Sequence, residues 1–291
     1  MIKDFEYLAP KTLGEALALL DKHGDECKVI AGGQSLLILM RQGLVAPAYL
    51  IDIKGLPGLA TIKLDPKEGL KIGALVTHRA IEKSPEIQQR FGVLHEMERR
   101  LASIQTRNWG TIGGNLCHAD PAGDPAPVLI AMNATVTVTS TKGPRTVPLE
   151  DFVLDYFETA MQHNELLTEI RVPTPAPQTG TVYSKFNVIE SELGTVGVAV
   201  SITLSSKDRT CGDVRIVLGG AGPRPLRAKQ AEAALRGKKI TDDLLKEAGE
   251  RAAAEAQPIS DINASADYRR ELLKVQVRRM AAEALSRAEK N

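Results

Sequence analysis

The chain has 291 residues, of which 43% are hydrophobic and 25% are charged, and its formal net charge is +1. This balance is typical of globular domains and disfavours a general nucleic-acid binder, which usually carries a basic excess. No apolar run approaches the ~18 residues of a membrane span. The charged opening, Met1-Ile2-Lys3-Asp4, lacks the apolar segment of a signal peptide, so we expect a cytoplasmic protein.

The first part of the chain predicts a mixture of helices and strands. Thr12 and Glu15 form a capping box, which predicts a helix that ends near Gly24. Hydrophobic periodicity and turn residues predict strands over 29–31, 49–53, 59–64, 70–74, 135–139 and 166–172, and helical structure over 77–101.

A proline-rich segment, Pro173 to Gly180, is the best candidate for a linker, because alternating prolines stiffen an extended chain. Beyond it, the pattern predicts strands over 196–204 and 213–218 and helices over about 227–236, 241–256 and 266–289. We therefore predict an α+β domain at 1–177 and a smaller domain, strands before helices, at 178–291.

The cysteines and histidines form no recognisable metal site. Cys27, Cys117 and Cys211 are widely spaced and form no CxxC pair, and the five histidines have no paired spacing. We therefore expect free thiols and neither zinc nor an iron–sulfur cluster in this chain.

The first chemical signal is Ala31-Gly32-Gly33-Gln34-Ser35-Leu36, the first glycine segment, which directly follows a predicted strand. Adjacent glycines allow several backbone N–H groups to point at one anionic oxygen, and Ser35 adds a hydroxyl. A helix from Leu36 to Met40 would direct its N-terminus at the same charge.

The second glycine segment, Asn108 to Leu116, contains Thr111-Ile112-Gly113-Gly114-Asn115 and has similar chemistry. The two segments together could hold the two halves of a pyrophosphate, although a structural turn remains the alternative for each. The known nucleotide motifs are absent. Gln34 stands where a P-loop needs lysine, and Pro225 stands where a Rossmann motif beginning at Gly220 needs its third glycine.

Between Cys117 and Pro127, three prolines and a glycine predict irregular structure before an apolar helix over 128–132. Asp124 is either the N-cap of that helix or a carboxylate that accepts a ligand N–H. Cys117 and His118 could form a catalytic or metal pair, but neighbours in an extended segment point to opposite sides, which disfavours it.

Taken together, these segments resemble the flavoproteins of molybdenum hydroxylases, namely the medium subunits of the carbon monoxide dehydrogenase type and the FAD domain of xanthine dehydrogenase. The two glycine segments resemble the paired FAD-binding signature of that family. Further similarity lies in Arg107-Asn108-x-Gly110, in Cys117-His118-Ala119-Asp120-Pro121 and in Ala266-Asp267-Tyr268-Arg269-Arg270. The resemblance covers essentially the whole chain.

The resemblance implies an α+β fold with two domains. The first, 1–177, would be an FAD-binding domain of the vanillyl-alcohol-oxidase (PCMH) type, and the second, 178–291, a small C-terminal domain of a three-stranded sheet with helices. It also implies partner chains: a large molybdopterin subunit and a small subunit carrying [2Fe-2S] clusters, usually assembled as a dimer of heterotrimers.

Matched residue by residue, the resemblance also implies a set of FAD-binding positions. Those at the pyrophosphate are Ala31, Gly32, Gly33, Gln34, Ser35, Leu36, Thr111, Ile112, Gly113, Gly114 and Asn115. Asp124 matches a residue at the polar edge of the flavin, Leu167 an apolar residue beside the ring, and Lys185 a cation near its pyrimidine end. Such a cation would stabilise the anionic reduced flavin, and a solvated strand lysine is the alternative.

Residues 187–194, Asn-Val-Ile-Glu-Ser-Glu-Leu-Gly, depart from the family, which usually has an Arg-Arg or Arg-x-Gly-Asp stretch here. Two glutamates near the reactive side of the flavin would disfavour its reduced anion. The departure leaves the terminal electron acceptor open. No cysteine-bearing insertion is visible, so we expect no additional cluster of the kind found in some aromatic-CoA reductases.

The function implied is electron transfer. A substrate is oxidised at molybdenum on the large subunit, and electrons pass through iron–sulfur clusters to FAD on this chain and then to a quinone, NAD or oxygen. This chain then needs no catalytic acid or base. Two alternatives remain: a stand-alone FAD oxidoreductase of the same fold, for which Cys117 or His118 would be the tether, and a structural subunit that has lost FAD. The intact glycine segments disfavour the second.

Overall fold

The computed structural model describes residues 2–187, 189 and 192–291. Over these residues the chain forms a three-stranded, a five-stranded and a four-stranded sheet, a two-stranded hairpin, and helices that pack on the sheets. The α+β fold expected from the sequence is confirmed.

The first sheet is parallel, with its last strand in the middle. In chain order its elements are β1 (Glu6–Leu8), α1 (Leu13–His23), β2 (Cys27–Ile30), α2 (Leu36–Arg41) and β3 (Tyr49–Asp52), with strand order β1-β3-β2. The predicted cap of α1 forms: Thr12 Oγ1 accepts from Glu15 N at 3.2 Å, and Glu15 accepts from Lys11 N at 2.7 Å. Parallel strands need crossover connections, and α1 and α2 supply helices for them.

The second sheet is antiparallel and carries most of the helices of the first domain. Its region comprises β4 (Ile62–Asp65), β5 (Gly69–Gly73), α3 (His78–Lys83), α4 (Pro85–Arg90), α5 (Gly92–Arg100), α6 (Ile104–Trp109), α7 (Ile112–His118), α8 (Pro125–Ala131), β6 (Thr135–Ser140), β7 (Gly143–Pro148), β8 (Val153–Asp155), β9 (Glu158–Thr159) and β10 (Leu166–Val172). The strand order is β4-β5-β10-β6-β7, and β8 pairs with β9. In β6 the burial of successive side chains alternates: Val136 and Val138 are fully buried, whereas the threonines on either side of each valine are half-buried.

The third sheet belongs to the C-terminal part, with β11 (Thr179–Phe186), β12 (Val196–Leu204), β13 (Cys211–Gly219), β14 (Leu226–Arg227), α9 (Lys229–Leu235), α10 (Asp242–Glu255) and α11 (Ala266–Lys290). The sheet runs in the order β11-β12-β13-β14, so the two-residue β14 adds an edge to the three long strands expected. Within the described residues no helix is both long and apolar enough to cross a membrane.

Strand β12 is buried on both faces, which explains its continuous apolar sequence. Val198 and Val200 pack in a cluster with helices α9, α10 and α11. Ala199 faces the other way and joins the core of the first domain, as do Tyr183 and Val217 of the neighbouring strands. The two predicted domains therefore share a core.

The segment from Cys117 to Pro127 is more regular than the sequence predicted. Cys117 and His118 form the end of α7, which stops at Ala119 in the left-handed conformation (φ 51°). The next helix, α8, begins at Pro125, where a proline is tolerated because the first helical N–H has no intrahelical acceptor. The predicted extended arrangement of Cys117 and His118 was wrong.

Candidate functional site

The two glycine segments lie in backbone contact. A Cβ atom at Gly32 would clash with the carbonyl oxygen of Trp109 and lie 2.8 Å from Cα of Gly110, so this position requires glycine. Farther along, a Cβ at Gly114 would lie 4.0 Å from that of Ala31. The fold thus joins the turn after β2 to the start of α7, although the segments are far apart in sequence.

The first glycine segment presents unpartnered donors. Gly33 has a positive φ of 72°, which glycine adopts without strain. In the described part of the chain, the backbone N–H groups from Gly32 to Ser35 donate to no protein oxygen, whereas Leu37 N already bonds Gly33 O at 3.1 Å. The Ser35 hydroxyl does not cap α2, and the segment is half-buried. Converging free N–H groups in a partly covered turn are what an anionic oxygen needs.

The second glycine segment has its N–H groups occupied by the protein. Ile112 N and Gly113 N each donate at 3.0 Å, to Val76 O and Ala74 O respectively. Gly114 N donates to Thr111 Oγ1 at 3.1 Å, so Thr111 caps α7. What remains open to a ligand is the exposed backbone at Gly114 and the half-buried amide side chain of Asn115.

Asp124 is buried and occupies the N-cap position of α8, as one of the two alternatives expected, but its side chain makes no capping hydrogen bond there. Its carboxylate instead accepts from Tyr183 Oη at 2.5 Å and from Lys185 Nζ at 2.8 Å. Burial raises the pKa of Asp124 above its usual value, and the charge of Lys185 opposes that rise. Each carboxylate oxygen keeps a further lone pair for a ligand donor.

Lys185 is buried with its charge paired, so the alternative of a solvated strand lysine was wrong. Its side chain is 4% exposed, and besides Asp124 its Nζ donates at 3.1 Å to Arg100 O and at 3.1 Å to Glu192 O. An ammonium group has three donors, and all three are used. Lys185 therefore orients Asp124 rather than offering a free cation.

Tyr183 belongs to this group of side chains and was not singled out from the sequence. It precedes Lys185 by two residues on β11, and alternation along a strand puts both on one face of the sheet. Burial and the neighbouring Asp124 raise the pKa of Tyr183 well above 10.0, so its hydroxyl stays a donor. The period-two spacing from Lys185 was the available signal.

Leu167 lies in the apolar core of the first predicted domain. Its side chain is 4% exposed and packs in the main apolar core, on β10. A chain of backbone hydrogen bonds connects this strand to the second glycine segment: Ala74 N donates to Thr168 O, and Gly113 N donates to Ala74 O. Leu167 thus lies on the strand to which the second segment is connected through Ala74.

The surroundings of Cys117 and His118 favour a structural role over a catalytic one. Burial raises the pKa of Cys117 to about 12, and its Sγ lies 3.6 Å from Sδ of Met161. Burial lowers the pKa of His118, whose ring packs at 5.2 Å from that of Phe157. A protonated, covered thiol is a poor nucleophile and a poor tether.

Of the unusual segment 187–194, Val188, Glu190 and Ser191 lie outside the described residues, as does Met1. The carbonyl of Glu192 accepts from Lys185, so this part of the segment contacts the Asp124 group. No cluster of three or more potential metal-ligating side chains occurs among the residues that the structure describes.

Two protein families match the chain over most of its length. Residues 3–175 match the FAD binding domain in molybdopterin dehydrogenase, and residues 181–284 match the CO dehydrogenase flavoprotein C-terminal domain. The first match ends within the exposed proline segment after β10, and the second begins six residues later.

Individual relatives are similar over nearly their whole length. The carbon monoxide dehydrogenase medium chain of Hydrogenophaga pseudoflava is 37% identical, with 91% of each chain covered. The nicotine 6-hydroxylase medium subunit of Paenarthrobacter nicotinovorans is 35% identical, with 97% of each covered. A solved structure of the carbon monoxide dehydrogenase from H. pseudoflava, lacking the Mo-pyranopterin moiety of the molybdenum cofactor, matches with a TM-score of 0.95, 37% identity and 99% of each chain covered.

Proposed function

Because this chain belongs to the flavoprotein family of molybdenum hydroxylases, we propose that its two joined glycine segments hold the pyrophosphate of FAD. The chain is the FAD-binding subunit of a molybdenum-dependent oxidoreductase, and the resemblance seen in its sequence is confirmed. The roles of the individual residues and the assembly with partner chains are proposals.

The observation that carries the residue assignment is the row of free N–H groups from Gly32 to Ser35. These groups and the Ser35 hydroxyl fit the oxygens of a pyrophosphate, whose negative charge needs several convergent donors. Ala31, Gln34 and Leu36 complete the turn. In the second segment, Gly114 and the Asn115 amide face the cofactor, while Thr111, Ile112 and Gly113 hold that segment in place through their own hydrogen bonds.

Asp124 supplies an acceptor for the polar edge of the flavin. This role is supported by the closeness of buried Asp124 to the second segment. Its neighbour Gly123 has a Cβ position 3.5 Å from Oδ1 of Asn115. Lys185 and Tyr183 fix its carboxylate. Leu167, in the apolar core next to Thr168, is the apolar residue that the resemblance assigns to the side of the ring.

When bound, FAD supplies the chemistry of accepting and donating electrons between iron–sulfur clusters and a terminal acceptor. The residues of this chain bind the cofactor, orient it and exclude water from its pyrophosphate. None of them needs to move a proton on the substrate of the enzyme.

The substrate is oxidised on a partner chain. We expect a large molybdopterin subunit and a small subunit with [2Fe-2S] clusters, arranged as a dimer of heterotrimers in the cytoplasm. The names of the relatives support the assembly, since both are the medium component of an enzyme. The division into domains at 1–177 and 178–291 is supported by the gap between the two family matches, 176–180, which contains the exposed Pro177.

The test is the absorbance spectrum of the co-purified complex together with flavin, iron and molybdenum analysis. Flavin absorbance with both metals in fixed stoichiometry is the expected result. Flavin without the metals or partner chains would favour the stand-alone oxidoreductase. Folded protein that was never stripped and holds no flavin would overturn the assignment of both glycine segments.

A further inference from the structure

A second buried pair, which the FAD assignment does not use, lies beside the glycine segments. His78, the first residue of α3, is 2% exposed, and Glu98 in α5 is fully buried. Nδ1 of His78 lies 3.1 and 3.0 Å from the two carboxyl oxygens of Glu98. A buried carboxyl group is costly unless it is paired, so this placement fixes both side chains.

The pair is connected to the second glycine segment through His78. The backbone N–H of His78 donates to Gly110 O at 3.0 Å, and Thr77 forms an antiparallel bridge with Thr111. The imidazole itself packs on the glycine, because Cδ2 lies 3.2 Å from the position that a Cβ would take at Gly110. The Cδ2–Nε2 edge of the ring therefore lies against the point where the segments meet.

Gly110 is the residue through which this contact reaches the first segment. Its Cα lies 2.8 Å from the Cβ position of Gly32, and its own Cβ position lies 3.5 Å from Cγ of Gln34. A change in the angle of the His78 ring would displace Gly110 and, with it, the free N–H groups of the first segment.

The pair is also electrostatically connected to Asp124. Burial raises the pKa of Glu98, His78 opposes the rise, and the carboxylate of Asp124 adds to it. Arg107, which bonds Glu82 and the carbonyls of Leu101 and Ala102, is the other charged group near Glu98. The Asp124–Lys185 pair and the His78–Glu98 pair are thus electrostatically coupled next to the glycine segments.

We propose that His78 and Glu98 are positioning residues of the FAD site: Glu98 fixes the His78 ring through Nδ1, and the ring fixes Gly110 so that both glycine segments keep the spacing that FAD requires. This inference rests on the proposed function. It assigns the pair a role in cofactor affinity beyond its contribution to folding, although neither residue lies in a glycine segment.

The test compares amide variants that preserve different ring atoms. In His78→Asn the side-chain amide nitrogen replaces Nδ1 and keeps the donor to Glu98, whereas in His78→Gln it replaces Nε2 and loses it. His95→Asn is the matched control, because His95 lies in α5, the helix that carries Glu98, and its Nδ1 bonds a backbone oxygen, Glu82 O, at 2.9 Å. Glu98→Leu fills the space of the carboxyl group and removes the partner of His78 altogether.

The measurement is the dissociation constant of FAD, from the fluorescence of flavin released on serial dilution of the holoprotein, together with the melting temperature. We expect His78→Gln and Glu98→Leu to weaken FAD binding about tenfold or more, a change of about 1.4 kcal/mol. We expect His78→Asn to stay within about threefold of wild type and His95→Asn to match it.

Other outcomes distinguish a role of the pair in FAD binding from a role in folding alone. A melting temperature that falls in folded His78→Gln or Glu98→Leu while the FAD dissociation constant stays at the wild-type value would overturn the inference, because the pair would then serve the fold alone. Glu98→Leu keeps the test decisive if His78→Gln fails to fold. Wild-type protein that binds no FAD would instead overturn the proposed function.

Discussion

Asp124 and Lys185 form a buried ion pair, 2.8 Å between Oδ2 and Nζ, that joins the start of α8 in the first predicted domain, where Asp124 is the N-cap residue, to β11 of the second. The side chains are 6% and 4% exposed. Burying two charges is costly unless they pair and make further hydrogen bonds. Tyr183 supplies such a bond to Asp124, and two backbone carbonyls supply them to Lys185. One pair thus joins the two predicted domains and lies in the proposed FAD site.

Lys185→Met is expected to destabilise the protein by about 3–5 kcal/mol, because it leaves the Asp124 carboxylate buried without its cation. The measurement is the free energy of unfolding from urea denaturation of the full chain. The double variant Asp124→Asn/Lys185→Met should recover most of the loss, since it removes both charges. Equal stability of the single and double variants would contradict this account of the pair.

Gly32→Ala is expected to reduce FAD binding by about tenfold or more and to lower the free energy of unfolding by about 1–3 kcal/mol, because the added methyl group clashes with the backbone of Trp109. The flavin content of the purified protein and its urea midpoint measure the two effects. Gly14→Ala is the matched control, since Gly14 lies in α1 with nothing within 4 Å of its Cβ position. A Gly32→Ala protein with a full complement of flavin would show that the segments need not touch.

The ion pair between Glu165 and Arg145 is expected to lose its stabilising effect in acid. Hydrogen bonds from Arg145, at 2.7 Å from both Nε and Nη2, hold the pKa of Glu165 below its usual 4.5. A carboxyl group with a lowered pKa in the folded state contributes stability above pH about 4.5, and the contribution disappears as the pH falls through the folded-state pKa. The stability difference between wild type and Glu165→Gln should therefore be largest at neutral pH and shrink on acidification.

The same pH series on Arg145→Gln provides the check, because removing either partner removes the same interaction. Its difference from wild type should also shrink as the pH falls. A difference that stays constant from pH 7 to pH 3 would mean that the Glu165 carboxylate gains nothing from this pair.

The fragment 1–177 is expected not to fold cooperatively by itself. Its core includes Tyr183, Ala199 and Val217 from the C-terminal sheet, and its Asp124 would lose both side-chain partners. Near-ultraviolet circular dichroism of the fragment, alone and after co-expression with 178–291, measures this. Native-like signals from 1–177 alone would indicate that the first domain does not need the second.

Local sequence patterns predicted the long elements closely. The strands predicted at 166–172 and 196–204 coincide with β10 and β12, and the helices of the C-terminal part lie within a few residues of their predicted ranges. These elements have strong periodicity over several residues, which decides their conformation locally. The short β7, β8, β9 and α6 were not predicted, because so few residues show no clear period. The longer β11 was also missed, and it begins inside the segment predicted as a linker.

Helix α7 shows why the second glycine segment was harder to predict. Glycine pairs disfavour a helix, yet Thr111 caps this one, and the N–H groups of Ile112 and Gly113 bond the chain at Val76 and Ala74. Those acceptors lie far away in sequence. Tertiary contacts therefore overrode local propensity at this point.

The sequence by itself determined the family of the chain and named the candidate residues of its FAD site: two glycine segments, a carboxylate at Asp124 and a cation at Lys185. Only the tertiary structure decided how they are used. It brought Gly32 against Trp109, left the donors of the first segment free while occupying those of the second, and paired Lys185 with Asp124. The physical reason is that a buried donor or charge must find a partner, and that partner is chosen by the packing of distant elements, which no local pattern specifies.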